Sequence, residues 1–318
     1  MLVRLSLLLA FLFILSLSVG AVSVSGTEIL GIFSGNVSDQ TIMVLGQLRL
    51  PRSIMAALTG AVLSVGGAVM QSLLRNPLAE PGLVGVSAGA ALGAVLLLFF
   101  GVSSFLWIGL AGFIGALFMT WFAWQLSRSW ATMAGLLLAG IAINALVFSL
   151  ISLLISLASD AQIRSITFWS LGSMTRTPWP VILFLLCWTP LGLWWIYKQW
   201  PALNALLLGD RAAMQVGVKL DRLRLSLITA MALLVGPMVA YTGTISFVGL
   251  LVPQIVRHWC GSDHRQLLPA AALLGASVVL VADILSRLLV SPGELPTGVV
   301  VSLIGAPAFL WVLRRQGN

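Results

Sequence analysis

Charged side chains are scarce in this sequence, so the few present mark where chemistry could occur. Of 17 basic and 9 acidic residues, a cluster falls between Lys198 and Arg224: Lys198, Asp210, Arg211, Lys219, Asp221, Arg222 and Arg224. Its basic surplus assigns the stretch to the cytoplasmic side of a membrane. Arg49/Arg52, Arg164/Arg176 and Arg287 fall at outer sites where the same rule expects few cations. Arg49 and Arg52 either reach for lipid headgroups or receive an acidic partner outside the membrane. Asp283 precedes Arg287 by one helical turn on the same face and can pair with it. Glu80 stands in a loop, where capping a helix start is expected over relaying protons. Nothing assembles into a catalytic set. The two histidines, His258 and His264, belong to no HExxH, and neither GxSxG nor a GxxxxGK[ST] phosphate loop occurs. Cys187 and Cys260 lack metal-ligand spacing and read as packing residues, so no metal or cofactor is expected.

The elements that hold these residues are apolar. With 59% hydrophobic and 8% charged residues and a mean hydropathy of +1.07, the chain reads as an all-α polytopic membrane protein. It forms one transmembrane domain over residues 1–318, without a soluble core of its own. The net charge of +8 is scattered between apolar segments, which is the pattern of topology signals and not of a nucleic-acid face. Residues 5–24 follow Arg4 and exceed a signal-peptide h-region, so they read as a retained first span with its N-terminus inside. Ser25 to Gln47 then lies outside, and a second span starts at about Leu50. Its small residues, among them Gly60, Gly66 and Gly67, place it centrally in the bundle. Pro77, Pro81 and a glycine run at 78–95 give a turn and a third tightly packed helix. Further spans read at roughly 104–126, 133–157, 179–197, 225–243, 245–259, 267–289 and 297–313. The total is about ten with both termini cytoplasmic. The segment at 245–259 is short and carries Pro253, so a broken or re-entrant helix and nine spans stay open.

Within the charged stretch, Pro201 ends a span, and residues 202–218 read as two short helices joined at Gly209, too polar to cross a bilayer. The joint favours φ > 0, which glycine adopts at little cost, and Asp210 is positioned to cap the second helix. A driven transporter subunit and a passive channel both fit a pore without its own energy source. A proton-coupled carrier lacks its carboxylate relay.

Several long motifs stand in order from Gln47 to Leu313: QLRLPR, GAVMQSLLRNPLAEPGLVGVSAGAALGAV, GDRAAMQVGV, GTISFVGLLVPQIVR, DHRQLLP, ADILSR and ELPTGVVVSLIGAPAFLWVL. Together they resemble the permease subunits of ABC importers for iron–siderophore, haem and cobalamin. The resemblance implies ten helices per subunit, a homodimer or pseudo-dimer with the path on its two-fold axis, and residence in the bacterial inner membrane. It implies separate cytoplasmic ATPase subunits, a periplasmic binding protein, and no enzymatic activity in this chain. GDRAAMQVG would be the coupling segment, with Leu208, Gly209, Asp210, Arg211, Ala212, Ala213 and Gly217 at the ATPase and Ala212/Ala213 as the small contact face. Arg49, Arg52 and Arg287 would meet glutamates of the binding protein. Asn76 and Leu78 would stand at the inner gate, and Thr132 and Met133 at a second one. A ferric siderophore or haem is the expected cargo, with cobalamin as the alternative.

Overall fold

Inside a bilayer a long apolar run satisfies its backbone polar groups by becoming helical. The computed structural model describes residues 1–20, 38–128, 133–175, 177–290 and 293–316, with the side chains of Met133, Leu313, Arg315 and Gln316 left aside. Among the described residues every regular element is a helix. The first six are α1 (Leu2–Ser18), α2 (Asp39–Leu74), α3 (Val86–Phe99), α4 (Phe105–Arg128), α5 (Met133–Ser156) and α6 (Asp160–Ser170). There follow α7 (Trp179–Tyr197), α8 (Trp200–Leu207), α9 (Asp210–Gln215), α10 (Leu220–Thr242), α11 (Val248–Cys260), α12 (His264–Leu288) and α13 (Thr297–Gln316). A 3-10 turn, Pro81–Val84, precedes α3.

Among the described residues six helices are long and apolar enough to cross a membrane: α2, α4, α5, α7, α10 and α12. They sort into two shells. Buried positions make up 78% of the spanning windows of α2 and α10 and 72% of that of α12, against 22–28% in α4, α5 and α7. The first three therefore form the core, and the others present apolar faces outward. Small residues set the core contact. A Cβ on Gly60 of α2 would strike the Gly275 carbonyl of α12, and beside it Ser64 Oγ donates to Ala271 O at 2.6 Å. Only a glycine pair allows this approach.

Three features differ from the sequence expectation. The helix expected from about Leu50 begins at Asp39, capped by Ser38, whose Oγ accepts from Thr41 N at 3.3 Å. It runs through a π-helical stretch at Val44–Arg49 into Pro51. Proline offers no N–H to the preceding turn, and a widened turn carries the helix past it. Second, the semi-polar stretch after α5 contains a helix of its own, α6. Its start is marked by Ser159, whose N–H donates to Gln162 Oε1 at 2.7 Å, a capping-box sequence that could have revealed it. Third, the expected 245–259 span is the 13-residue α11, with Pro253 inside and Phe247 at its start at φ 67°.

Candidate functional site

Two polar regions interrupt the apolar body, one at each end of α2. At the α2 C-terminus lies the charged insertion. It forms the expected pair of short helices, α8 and α9, and Gly209 between them has φ 112° and ψ 159°, a conformation that disfavours any side chain. Two details correct the sequence reading. Asp210 is the first residue of α9, after Gly209 at the cap position, and among the described residues its side chain bonds to no backbone N–H. Its carboxylate instead accepts from Arg75 Nη2 through Oδ1 and from Arg224 Nη2 through Oδ2, the latter at 2.8 Å. Two guanidinium groups hold a carboxylate more strongly than free backbone N–H groups do. Ala213, expected at a contact face, is fully buried with Leu203 and Leu206 beneath the insertion, and Ala212 is half-buried. The outward face is formed by Leu208 (80% exposed), Val216 (71%) and Met214 (54%), with Arg211 and Gly217 also exposed. Of this apolar cluster, sequence reasoning named Leu208 but missed Met214 and Val216, which interleave with polar and small residues.

The insertion is tied to the core by a second polar chain. Asn204 of α8 donates from Nδ2 to Asp263 Oδ1 at 2.7 Å, and its Oδ1 accepts from His264 N at 2.9 Å. The His264 ring lies between Asn204 Oδ1 (2.8 Å from Nδ1) and Ser72 Oγ of α2 (2.6 Å from Nε2). The bond from Asn204, with another from the Arg265 N–H, holds the Asp263 carboxyl below its ordinary range. Just past α2, Arg75 takes a left-handed conformation at φ 48°. The following turn is set by Asn76 Oδ1, which accepts from Leu78 N at 2.9 Å, and by Gln254 Nε2, which donates to Pro77 O at 2.8 Å. The two expected inner-gate residues thus form one turn, with Leu78 exposed. Thr132 lies outside the described residues, as does the side chain of Met133.

At the other end of α2 the three expected docking arginines come together, but as buried groups. Arg49, Arg52 and Arg287 are each 5–6% exposed. Arg52 donates to Asp283 Oδ1 (2.8 Å), Glu294 Oε2 (2.7 Å) and Ser286 Oγ (3.2 Å). Arg287 donates to Ser16 Oγ (2.6 Å) and to the carbonyls of Ser16 (2.9 Å) and Val19 (3.1 Å) at the end of α1. Its Nη2 lies 2.9 Å from Asp283 Oδ2, the pairing expected from the i, i+4 spacing. Arg49 Nη1 donates to the carbonyls of Leu17 (2.7 Å) and Ser18 (3.0 Å). Burying cations requires partners, and the C-terminal carbonyls of α1 supply acceptors that a sequence gives no sign of. Arg164 is exposed, and Arg176 lies outside the described residues.

Residues 8–315 match the FecCD transport family. The chain belongs to this family. Among its relatives, the hemin transport system permease protein HmuU of Yersinia pestis is 40% identical over 328 aligned positions, covering 98% of this chain and 96% of that protein. The vitamin B12 import system permease protein BtuC of Shigella sonnei is 41% identical over 275, covering 86% and 84%. A solved structure described as an inward-facing conformation of a metal-chelate type ABC transporter superposes with a TM-score of 0.88 at 32% identity, covering 99% of this chain and 98% of that one. A 15% identical chain of PsaBC from Streptococcus pneumoniae, with a TM-score of 0.61 over 83% and 90%, shares the fold.

In this FecCD chain a cavity of about 420 Å³ opens between α3, α5, α6 and the Thr244–Ser246 turn. Its walls are mostly aliphatic, and Glu80 is the one charged group among the described lining residues. Glu80 was expected to cap a helix start; it precedes the Pro81–Val84 turn without a side-chain cap bond. Asn144 donates from Nδ2 to Gly82 O at 3.1 Å, and its buried Oδ1 has no partner among the described residues. Among the described residues no group of three or more His, Cys, Asp or Glu could hold a metal ion.

Proposed function

We propose that this multi-pass membrane protein is the permease subunit of an ATP-driven importer. It would carry a metal chelate, a ferric siderophore or haem, from the periplasm across a bacterial inner membrane. The single observation that carries this reading is the insertion at α8–α9. A FecCD chain without a phosphate loop ties a compact helical pair to its core through polar contacts and turns Leu208, Met214 and Val216 to the outside. Exposed apolar side chains on an anchored helical knob are a docking surface, and the occupant proposed is a separate ATPase subunit.

The topology in this reading has ten spans, adding α1, α3, α11 and α13 to the six long helices, with both termini cytoplasmic. The outward apolar faces of α5 and α13, including Phe148, Leu153, Leu303 and Trp311, would meet lipid and a second permease subunit, with the path between the copies. Asn76 and Leu78, with Thr132 and Met133, would close that path on the cytoplasmic side. At the outer end a binding protein would dock over Arg49, Arg52 and Arg287. Because these are buried, docking proceeds by exchange. Glu294, 41% exposed in its side chain, is the partner that an incoming carboxylate can replace at Arg52. Between the chelates, likeness to HmuU and BtuC leaves both haem and cobalamin as cargo classes to compare directly.

The test is copurification of the ATPase subunit. Leu208→Asp and Val216→Asp each put a charge on the proposed contact without touching the core, and should reduce ATPase recovery at least about tenfold, as expected for hot-spot contacts of about 2 kcal/mol. Unchanged recovery in both would leave the insertion a plain loop.

A further inference from the structure

The insertion touches the core through few polar contacts, and one of them runs in a line. Asp263 is a carboxylate acceptor, so the Asn204 amide must turn its NH2 group toward it, at 2.7 Å. That orientation leaves Asn204 Oδ1 facing both the main-chain N–H of His264 (2.9 Å) and its Nδ1 (2.8 Å). An acceptor at this position fixes the proton on Nδ1. The neutral ring then has one lone pair left, on Nε2, which accepts from the Ser72 hydroxyl at 2.6 Å. Every donor and acceptor of the imidazole is thereby used, in a side chain with no solvent exposure.

The line joins three elements: α8 of the insertion, the first residue of α12, and α2 two residues before its C-terminal Leu74. Ser72 is 3% exposed and has one alternative acceptor, the Ala68 carbonyl at 2.9 Å. The next residue with a tie to the insertion is Arg75, held by Asp210 of α9. Directly after it comes the Asn76–Leu78 turn.

We propose that His264 is the positioning residue that transmits displacement of the α8–α9 insertion to the inner end of α2 and its gate turn, acting through Asn204 on one side and Ser72 on the other. The inference rests on the reading of the insertion as an ATPase dock. A hydrogen-bonded ring in a closed pocket suits the task because both of its bonds are directional. The carboxylate behind Asn204 fixes which way each proton points.

The experiment uses the permease reconstituted in proteoliposomes with its ATPase subunits and binding protein, and reads substrate taken up per ATP hydrolysed alongside ATPase copurification. Ser72→Ala cuts only the α2 end, and His264→Phe keeps a ring without either nitrogen. Each should retain the ATPase and lower uptake per ATP about fivefold or more, the scale of one lost directional bond. The double variant should be no worse than His264→Phe alone, because the two act in series, and Ser72→Thr should restore uptake. Unchanged uptake per ATP in Ser72→Ala overturns the proposal, and so do multiplicative losses in the double variant. If His264→Phe fails to fold, Ser72→Ala and its threonine rescue decide alone. Failure of the docking reading looks different, since Leu208→Asp would then leave ATPase recovery unchanged.

Discussion

Asp283 is the residue on which the outer end depends. Its carboxylate is fully buried between the guanidinium groups of Arg52 and Arg287, and removing it strands two cations away from water. Asp283→Ala should destabilise the protein by about 3–5 kcal/mol, measured as a fall in the thermal unfolding midpoint in detergent or nanodiscs. Glu294→Gln removes a half-exposed partner of the same Arg52 and should cost about 1 kcal/mol or less. A ranking in the opposite order would show that the network does not hold α12 to α2. At the inner end Asp263 behaves as a depressed carboxylate. Its contribution is complete above the ordinary aspartate range and is lost as pH falls through its lowered value. Protection from hydrogen exchange at the first turn of α12, corrected for the intrinsic pH dependence of exchange, should therefore be constant above the ordinary aspartate range and fall progressively as pH drops from that range through the lowered value. Loss of protection beginning above that range would contradict the Asn204 bond as its cause.

At the level of elements, the α2–α12 contact is the packing decision that everything else follows. Gly60→Leu drives a side chain into the Gly275 backbone. It should cost at least the roughly 1–3 kcal/mol of overpacking, seen as loss of monodisperse protein in size-exclusion chromatography. Gly46→Ala on the same helix meets nothing within 4 Å and should behave as wild type. The central place of α2 was legible because Gly60, Gly66 and Gly67 repeat on a helix otherwise made of aliphatic residues. The same holds for the insertion, where Pro201, Gly209 and the charge cluster each break an apolar run. The π-turn before Pro51 was not legible, since a proline can equally begin a helix or be passed by a widened turn, and only the packing of the preceding residues decides between them. The α6 helix was legible in Ser159 and Gln162 but was masked by the semi-polar composition around them.

For the molecule as a whole, the all-helical membrane class was legible in the sequence patterns, but not which side of an element faces out. Ala213 and Leu208 illustrate the difference. Both lie in the charged insertion, yet one is packed beneath it and the other projects from it, because that choice depends on the α8–α9 crossing and not on residue type. The outer arginines show it again, for α1 supplies carbonyls that only the fold brings within reach. The account of the whole is an importer driven from outside its own chain. Its most direct test is uptake of haem, a ferric siderophore and cobalamin into proteoliposomes containing this permease, its ATPase subunits and enclosed ATP, with binding protein outside. The account predicts accumulation of one chelate against its gradient, abolished by omitting either the ATPase subunits or ATP. Equal flux of a chelate with the permease alone, or accumulation driven by a proton gradient without ATP, would contradict it.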